Sequence, residues 1–313
     1  MTARTESPET LAVEQKLPDL ESLLPLHRLQ EELPALSSRY QAAEPYPHIH
    51  LEGVLPSGVA RMLMEEFPGP RDDSWIQYKH FNENKLGKTK RDEFPLSIGR
   101  MADELCSDEF CAWLSKLTGI DGLMADPSLE GGGMHQTERG GFLNIHADFT
   151  MHHHRPRWQR RVNLILFLNE GWEDSWGGAL ELWDRSMKGC QQAYFPRLNH
   201  AVIFNTDEDS FHGYPEPIEC PETTTRKSLA FYYYTEAEEG YVPRSTNYRA
   251  RPGDGWKAGL IWADKVAVAL YSGIKRRLGL SDDFASRVLG TLSRSRKRGG
   301  DDQAQGDPKG PRS

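Results

Sequence analysis

The run Val162-Asn163-Leu164-Ile165-Leu166-Phe167-Leu168 constrains the fold more than any other stretch of the chain. It is apolar at consecutive positions, so an extended backbone here presents hydrophobic side chains to both sides and must be covered on both. That describes a central strand, not an edge. Around it, short segments of period two recur at about 141–146, 161–169, 179–184, 191–195, 200–205 and 226–235, separated by Gly, Pro, Asn and Asp. Many short strands at such spacing imply a β-sandwich or a closed barrel.

The flanks read differently. Tyr46-Pro47-His48-Ile49-His50-Leu51 alternates like a strand, and Ser57 stands as N-cap of an apolar-periodic helix from Val59 to Phe67. A second helix is expected from Asp108 to about Leu117, with Ser107 as its cap and Gly119 as its stop. Residues 1–44 form an N-terminal arm, expected to be partly disordered, in which the Leu-rich patch Leu20-Glu21-Ser22-Leu23-Leu24 suggests a short helix or an extended segment. The main domain spans 45–245, with its β core at about 130–236. Leu260, Ile261, Ala263, Val266, Val268, Ala269 and Ile274 mark a C-terminal helical appendage over 246–292. The tail 293–313 is Arg, Lys, Gly, Asp, Gln and Pro, too polar to offset its ordering entropy, and is expected to be disordered.

A net charge of −8 argues against nucleic acid as the main partner. Cys106, Cys111, Cys190 and Cys220 form neither a Cys-x-x-Cys pair nor a dense disulfide pattern, which fits a reducing compartment. No signal-peptide core opens the chain and no window approaches a membrane span, so the expected location is cytoplasmic. Lys275, Arg276, Arg277, Arg287, Arg294, Arg296, Lys297 and Arg298 give the C-terminal segment a basic end. A packed helix with a solvated basic end is the simpler reading, and peripheral contact with an anionic membrane the other. Nothing in the sequence sets the oligomeric state.

A facial iron site requires two neutral imidazoles and one carboxylate on one side of the metal, leaving the opposite positions open. In Leu143-Asn144-Ile145-His146-Ala147-Asp148-Phe149 an extended backbone projects His146 and Asp148 from the same face. The second histidine must come from another strand, and Phe211-His212-Gly213-Tyr214 offers His212. A lone His-x-Asp also describes an ordinary surface pair, and His135, His200 and the run His152-His153-His154 are competing imidazoles. The histidine run reads more simply as a solvated loop or lid, and His200 as a strand-end residue.

In Arg226-Lys227-Ser228-Leu229-Ala230-Phe231-Tyr232 alternation places Arg226 and Ser228 on one face, with Lys227 pointing away. A guanidinium binds a carboxylate through a planar fork and keeps its charge, so this pair suits an anchor for a dicarboxylate co-substrate. By itself it also fits two ordinary charges opening a strand.

His146-x-Asp148, then His212, then Arg226-x-Ser228, together with the strand 161–169 and Trp176-Gly177-Gly178-Ala179-Leu180-Glu181-Leu182, resembles the Fe(II)/2-oxoglutarate dioxygenases, most closely their prolyl-4-hydroxylase-like branch. The resemblance covers roughly residues 130–236. It implies an α+β, mainly β fold, a double-stranded β-helix (jelly-roll or cupin-like barrel) with flanking helices. It also implies Fe(2+) held by His146, Asp148 and His212, 2-oxoglutarate held by Arg226 and Ser228, and hydroxylation of an unactivated C–H bond by O2 with release of succinate and CO2. Asn163 and Tyr232 are candidates for the further polar contact that relatives make to the co-substrate. The substrate, small-molecule or peptidyl, is not legible. Arg226 stands where collagen-type prolyl hydroxylases carry lysine, so a prolyl substrate does not follow from the likeness. A cupin-like metal-binding or sensor protein would share the barrel without oxidising anything, and Arg226-x-Ser228 speaks against it. A zinc hydrolase is disfavoured because His-Glu-x-x-His and Cys-containing zinc patterns are missing from the sequence.

Overall fold

A computed structural model describes residues 22–266. Its named helices are α1 (Leu26–Gln41), α2 (Ser57–Glu65), α3 (Leu96–Leu105) and α4 (Asp108–Thr118), and residues 257–266 are also helical. The strands are β1 (His48–Glu52), β2 (Ile76–His80), β3 (Glu83–Lys88), β4 (Met124–Ala125), β5 (Gly133–Thr137), β6 (Phe142–Ala147) and β7 (Trp158–Phe167). They continue as β8 (Leu180–Trp183), β9 (Cys190–Tyr194), β10 (His200–Asn205), β11 (His212–Tyr214), β12 (Arg226–Glu236) and β13 (Asn247–Tyr248).

Ten strands form one antiparallel path, β1-β10-β7-β12-β5-β3-β6-β11-β8-β9, which rolls into a nearly closed barrel of the double-stranded β-helix kind. β7 sits between β10 and β12, the central position that its sequence requires. Its two apolar faces have different partners. Val162, Leu164 and Leu166 join Ala201 and Ile203 of β10, Leu229 and Phe231 of β12 and Ile49 and Leu51 of β1 in a core closed from outside by the four helices. Phe167 lies on the opposite face with Val202, Phe204, Leu180 and Leu182, inside the barrel. A strand buried on both faces has no position for solvent-facing polar residues, which is why period two fades at its centre.

α4 follows its local signals: the Ser107 hydroxyl accepts from the Phe110 amide at 3.2 Å, and Gly119 closes the helix at φ 72°, where a β-carbon would be strained. α2 has Pro56, not Ser57, at its N-cap, and no side chain caps it.

The domain boundary at 44 is displaced. Leu23, Leu24, Leu29, Leu36 and Tyr40 are buried in the main core, and Trp113 of α4 donates its indole N–H to the Leu29 carbonyl at 3.0 Å. The segment from residue 22 is therefore part of the domain, because α1 covers apolar surface of α4 that would otherwise face water. The boundary at 245 shifts as well, since β13 pairs with β6. The helix at 257–266 docks on the turn between β2 and β3, where His80 meets Asp264 at 2.8 Å and the Asn82 amide donates to the Ile261 carbonyl at 3.3 Å. The rest of the expected C-terminal helix and the tail lie outside the described residues. Among the described residues no helix is long and apolar enough to cross a membrane.

Candidate metal centre and co-substrate pocket

β6 pairs with β11 in a register that puts His212 directly opposite His146. Asp148 follows the end of β6, two residues on and therefore on the same face. The Nε2 atoms of His146 and His212 lie 3.6 and 3.5 Å from the two Asp148 carboxylate oxygens, and one ligand atom from each residue falls within 4.8 Å of the others. Each imidazole is held from behind. Nδ1 of His146 bonds the Asn144 carbonyl at 2.9 Å and Nδ1 of His212 the Ser210 carbonyl at 3.0 Å. A carbonyl only accepts, so in the neutral rings the proton sits on Nδ1 and the Nε2 lone pairs point into the cluster. Two imidazoles and one carboxylate converging in this way fit a facial metal site.

The electrostatics favour the ligand state of Asp148 and His212. Burial alone would raise the Asp148 carboxyl, but Arg160, His212 and His146 outweigh it and hold the group well below the usual carboxylate range. Burial, opposed by Asp148 and reinforced by His146, pushes His212 down to about 4, leaving a neutral ring at neutral pH. Phe204 packs against His212 at 4.7 Å between ring centroids and Tyr248 against His146 at 5.4 Å, closing the cluster with aromatic surface.

Arg160 is a participant that the sequence reading passed over. Its Nη2 lies 2.9 Å from Asp148 Oδ2, while Nε and Nη2 both donate to the Asn163 carbonyl oxygen, at 2.9 and 2.7 Å. The guanidinium stacks on Tyr232 at 3.4 Å and faces Phe149 at 4.7 Å, and its Nη1 is buried with no hydrogen-bond partner among the described residues. Asn163 completes the unit by donating its amide to Asp148 Oδ2 at 2.8 Å. Both polar ends of Asn163 are thus engaged with Asp148 and Arg160, and the Tyr232 hydroxyl donates to the Gly131 carbonyl at 2.7 Å. These two candidate co-substrate residues lie beside the cluster of His146, Asp148 and His212 with their hydrogen bonds already directed elsewhere.

Along the same inner face of β12, Arg226 is opposite Thr137 of β5, and Ser228 lies between Phe167 and His135. Arg226 is only 4% exposed, and among the described residues no carboxylate pairs with it. Its Nε donates to the Gly178 carbonyl at 2.8 Å, and the guanidinium lies over Tyr214 at 4.2 Å and Phe167 at 5.0 Å. Gly178 has φ 72°, and a β-carbon there would approach Arg226 Cδ to 3.3 Å, so the glycine pair entering β8 lets a backbone carbonyl reach the guanidinium. The Tyr214 hydroxyl bonds the Thr137 hydroxyl at 3.0 Å beside it. Glu83 and Lys85 of β3 pair at 3.1 Å nearby, and burial, with Lys85 adding to it, pushes His135 down to about 3. Sequence alone gave no signal for β3, because its Glu-Asn-Lys-Leu-Gly-Lys carries no apolar alternation.

The histidine run lies in a loop, as expected, with His154 exposed, but His152 departs from a solvated position. His152 is buried, 3.1 Å from Asp126 and 3.3 Å from Glu130, and Glu130 also meets His153 at 3.2 Å and His154 at 3.5 Å. Two carboxylates on the chain leading into β5 supply partners that a reading of local polarity could not anticipate.

Residues 132–234 match the family model described as the 2OG-Fe(II) oxygenase superfamily. A curated relative, prolyl 3-hydroxylase OGFOD1 of Mus musculus, is 29% identical over 135 residues, 42% of this chain and 22% of the relative. The alignment thus spans about a fifth of that protein's length. Among solved structures, a Pseudomonas putida prolyl-4-hydroxylase is matched over 65% of this chain and all of its own, at 17% identity and TM-score 0.48. HygX from Streptomyces hygroscopicus, with nickel, 2-oxoglutarate and hygromycin B bound, is matched over 65% of this chain and 86% of its own, at 14% identity and TM-score 0.39. Residues 132–234, the barrel segment of the chain, are thus similar to the 2OG-Fe(II) oxygenase superfamily.

Proposed function

We propose that the protein is a 2-oxoglutarate-dependent dioxygenase that hydroxylates a C–H bond of a small-molecule or peptidyl substrate, with His146, Asp148 and His212 as the iron ligands. The observation that carries this reading is Arg226, a buried cation with no carboxylate partner among the described residues, set on the same inner barrel surface as the three ligands. A buried charge left uncompensated is costly, and an anionic co-substrate carboxylate supplies the missing partner. When bound, Fe(II) and 2-oxoglutarate activate O2 for C–H oxidation, releasing succinate and CO2.

The residues of the chain then have distinct tasks. Arg226, with Ser228 on the same face, grips the distal carboxylate, and the neighbouring hydroxyls of Tyr214 and Thr137 supply its further polar contact. Arg160 and Asn163 are positioning residues for Asp148, keeping it ionised and fixed in rotamer. Phe204 and Tyr248 limit water around the ligands. The name of the curated relative makes peptidyl proline the first substrate to offer. A location in the cytoplasm accords with the unpaired cysteines.

Anaerobic addition of Fe(II) and 2-oxoglutarate is expected to give the visible metal-to-ligand charge-transfer absorption of the chelate, followed by succinate when oxygen is admitted. A protein that binds Fe(II) without ever developing that absorption is a metal-binding barrel and not this enzyme. Asn163→Ala tests the positioning role. Loss of a hydrogen bond to a ligating carboxylate should weaken Fe(II) binding about tenfold or more, measured by anaerobic titration, with 2-oxoglutarate affinity changed much less. A selective loss of 2-oxoglutarate affinity would instead make Asn163 a co-substrate contact.

A further inference from the structure

The hydrogen-bonded path of the barrel ends at β1 on one side and β9 on the other, and among the described residues these strands share no ladder. Side chains bridge the seam. Nε2 of His48 lies 2.8 Å from the Tyr194 hydroxyl, and the His50 ring stacks on Tyr194 at 4.7 Å and 29°. His48 Nδ1 bonds the Tyr46 carbonyl at 2.8 Å, so in the neutral ring its Nε2 accepts from Tyr194 and His48 has no nitrogen left for a ligand.

His50 and His200 are arranged differently. The register of β1 on β10 pairs Glu52 with His200 and His50 with Val202, which gathers all three polar residues at one end of the strand pair and on one face. Nε2 of His50 lies 3.0 Å from Nδ1 of His200, the Glu52 carboxylate is 3.9 Å from the other His50 nitrogen, Nδ1, and one ligand atom from each residue falls within 4.8 Å of the others. We propose that His50, Glu52 and His200 form a second divalent metal site, of zinc type, beside the seam of the barrel and separate from the cluster of His146, Asp148 and His212. Two imidazole nitrogens and one carboxylate oxygen are a ligand set that zinc takes in tetrahedral geometry with water in the fourth position. Nitrogens at ~2.0–2.1 Å from such a centre stand roughly 3.3 Å apart, so the two rings need to separate by only a few tenths of an ångström.

The charged groups around the pair act in both directions. Arg197 acts on both rings and Arg39 on His50, positive charges that oppose a cation, while Glu52 favours it. With nitrogen donors, zinc outcompetes Fe(II), Mg2+ and Ca2+. A metal there locks His50 beneath Tyr194 and so braces the one side of the barrel that no ladder closes.

The test is zinc uptake by the full chain after chelator treatment, dialysed against buffered micromolar free zinc and counted by elemental mass spectrometry. Wild type is expected to hold one equivalent more than His200→Ala, and His50→Ala to match His200→Ala. Zinc should also raise the melting temperature of wild type more than that of either variant. Because the deciding quantity is the difference between wild type and variant, it does not depend on whether the His146 cluster also takes zinc. Glu52→Gln provides a second variant that spares the packing, since the Glu52 side chain is 70% exposed, and it should weaken the same equivalent tenfold or more. Equal zinc content in wild type and both histidine variants, or unchanged affinity in Glu52→Gln, would overturn the site and leave a hydrogen-bonded imidazole pair in its place.

Discussion

His146→Ala is expected to abolish 2-oxoglutarate turnover while leaving the protein folded. In the proposed site His146 would supply one of three ligand atoms, and since loss of a mere outer-layer partner already costs about 10- to 100-fold in metal affinity, loss of a ligand should cost more than about 100-fold. The structural cost is small by comparison. The ring packs on His212 at 4.5 Å and on Tyr248 at 5.4 Å, at the end of β6 and outside the large core beneath the helices. The melting temperature should therefore move by only a few degrees, while the charge-transfer absorption and succinate formation both disappear. Succinate formed at the wild-type rate would take His146 out of the proposed metal site.

Arg226→Leu should have the opposite relation between stability and function. In the absence of co-substrate the wild-type guanidinium is buried among Phe167, Tyr214 and Gly178 with no counter-ion among the described residues, and burial lowers its pKa. Replacing an uncompensated buried charge by an apolar side chain is neutral or stabilising, so the melting temperature of the ligand-free protein should hold or rise. Binding of 2-oxoglutarate should weaken about 30-fold or more, since truncating one partner of a buried, hydrogen-bonded charge pair costs ~2–5 kcal/mol. Arg226→Lys should fall between the two, retaining a charge but losing the planar fork and the bond to Gly178. The readouts are the apparent KM for 2-oxoglutarate and the anaerobic titration of the chelate. Parallel loss of Fe(II) and 2-oxoglutarate affinity would point to a folding defect in place of an anchor.

Several parts of this picture were legible in advance because their causes are local. β7 carries a run of consecutive apolar residues and β12 a run of aromatic ones, and α4 announces both ends through Ser107 and Gly119. Other parts have no local cause. β3 is a polar segment whose strand state comes from pairing with β2, β5 and β6. α1 contains Pro34 and is stabilised by the apolar surface of α4, and Tyr248 reaches His146 through a two-residue strand that no periodicity could reveal. The burial of His152 depends on Asp126 and Glu130, distant along the chain.

By itself the sequence determined that His146 and Asp148 share a face, as do Arg226 and Ser228, because side chains alternate with period two along any extended backbone. It also determined that the strand over 161–169 is central, because consecutive apolar residues demand cover on both sides. Only the tertiary structure decided which histidine joins the pair, since His212, His135 and His200 are equivalent as letters and differ only in the strand each is registered against. It decided as well that Arg160 and Asn163 brace Asp148, and that His50, Glu52 and His200 converge at the seam. Pairing register between distant strands is set by how the whole barrel closes, a free energy summed over many contacts, and no window of local sequence contains it.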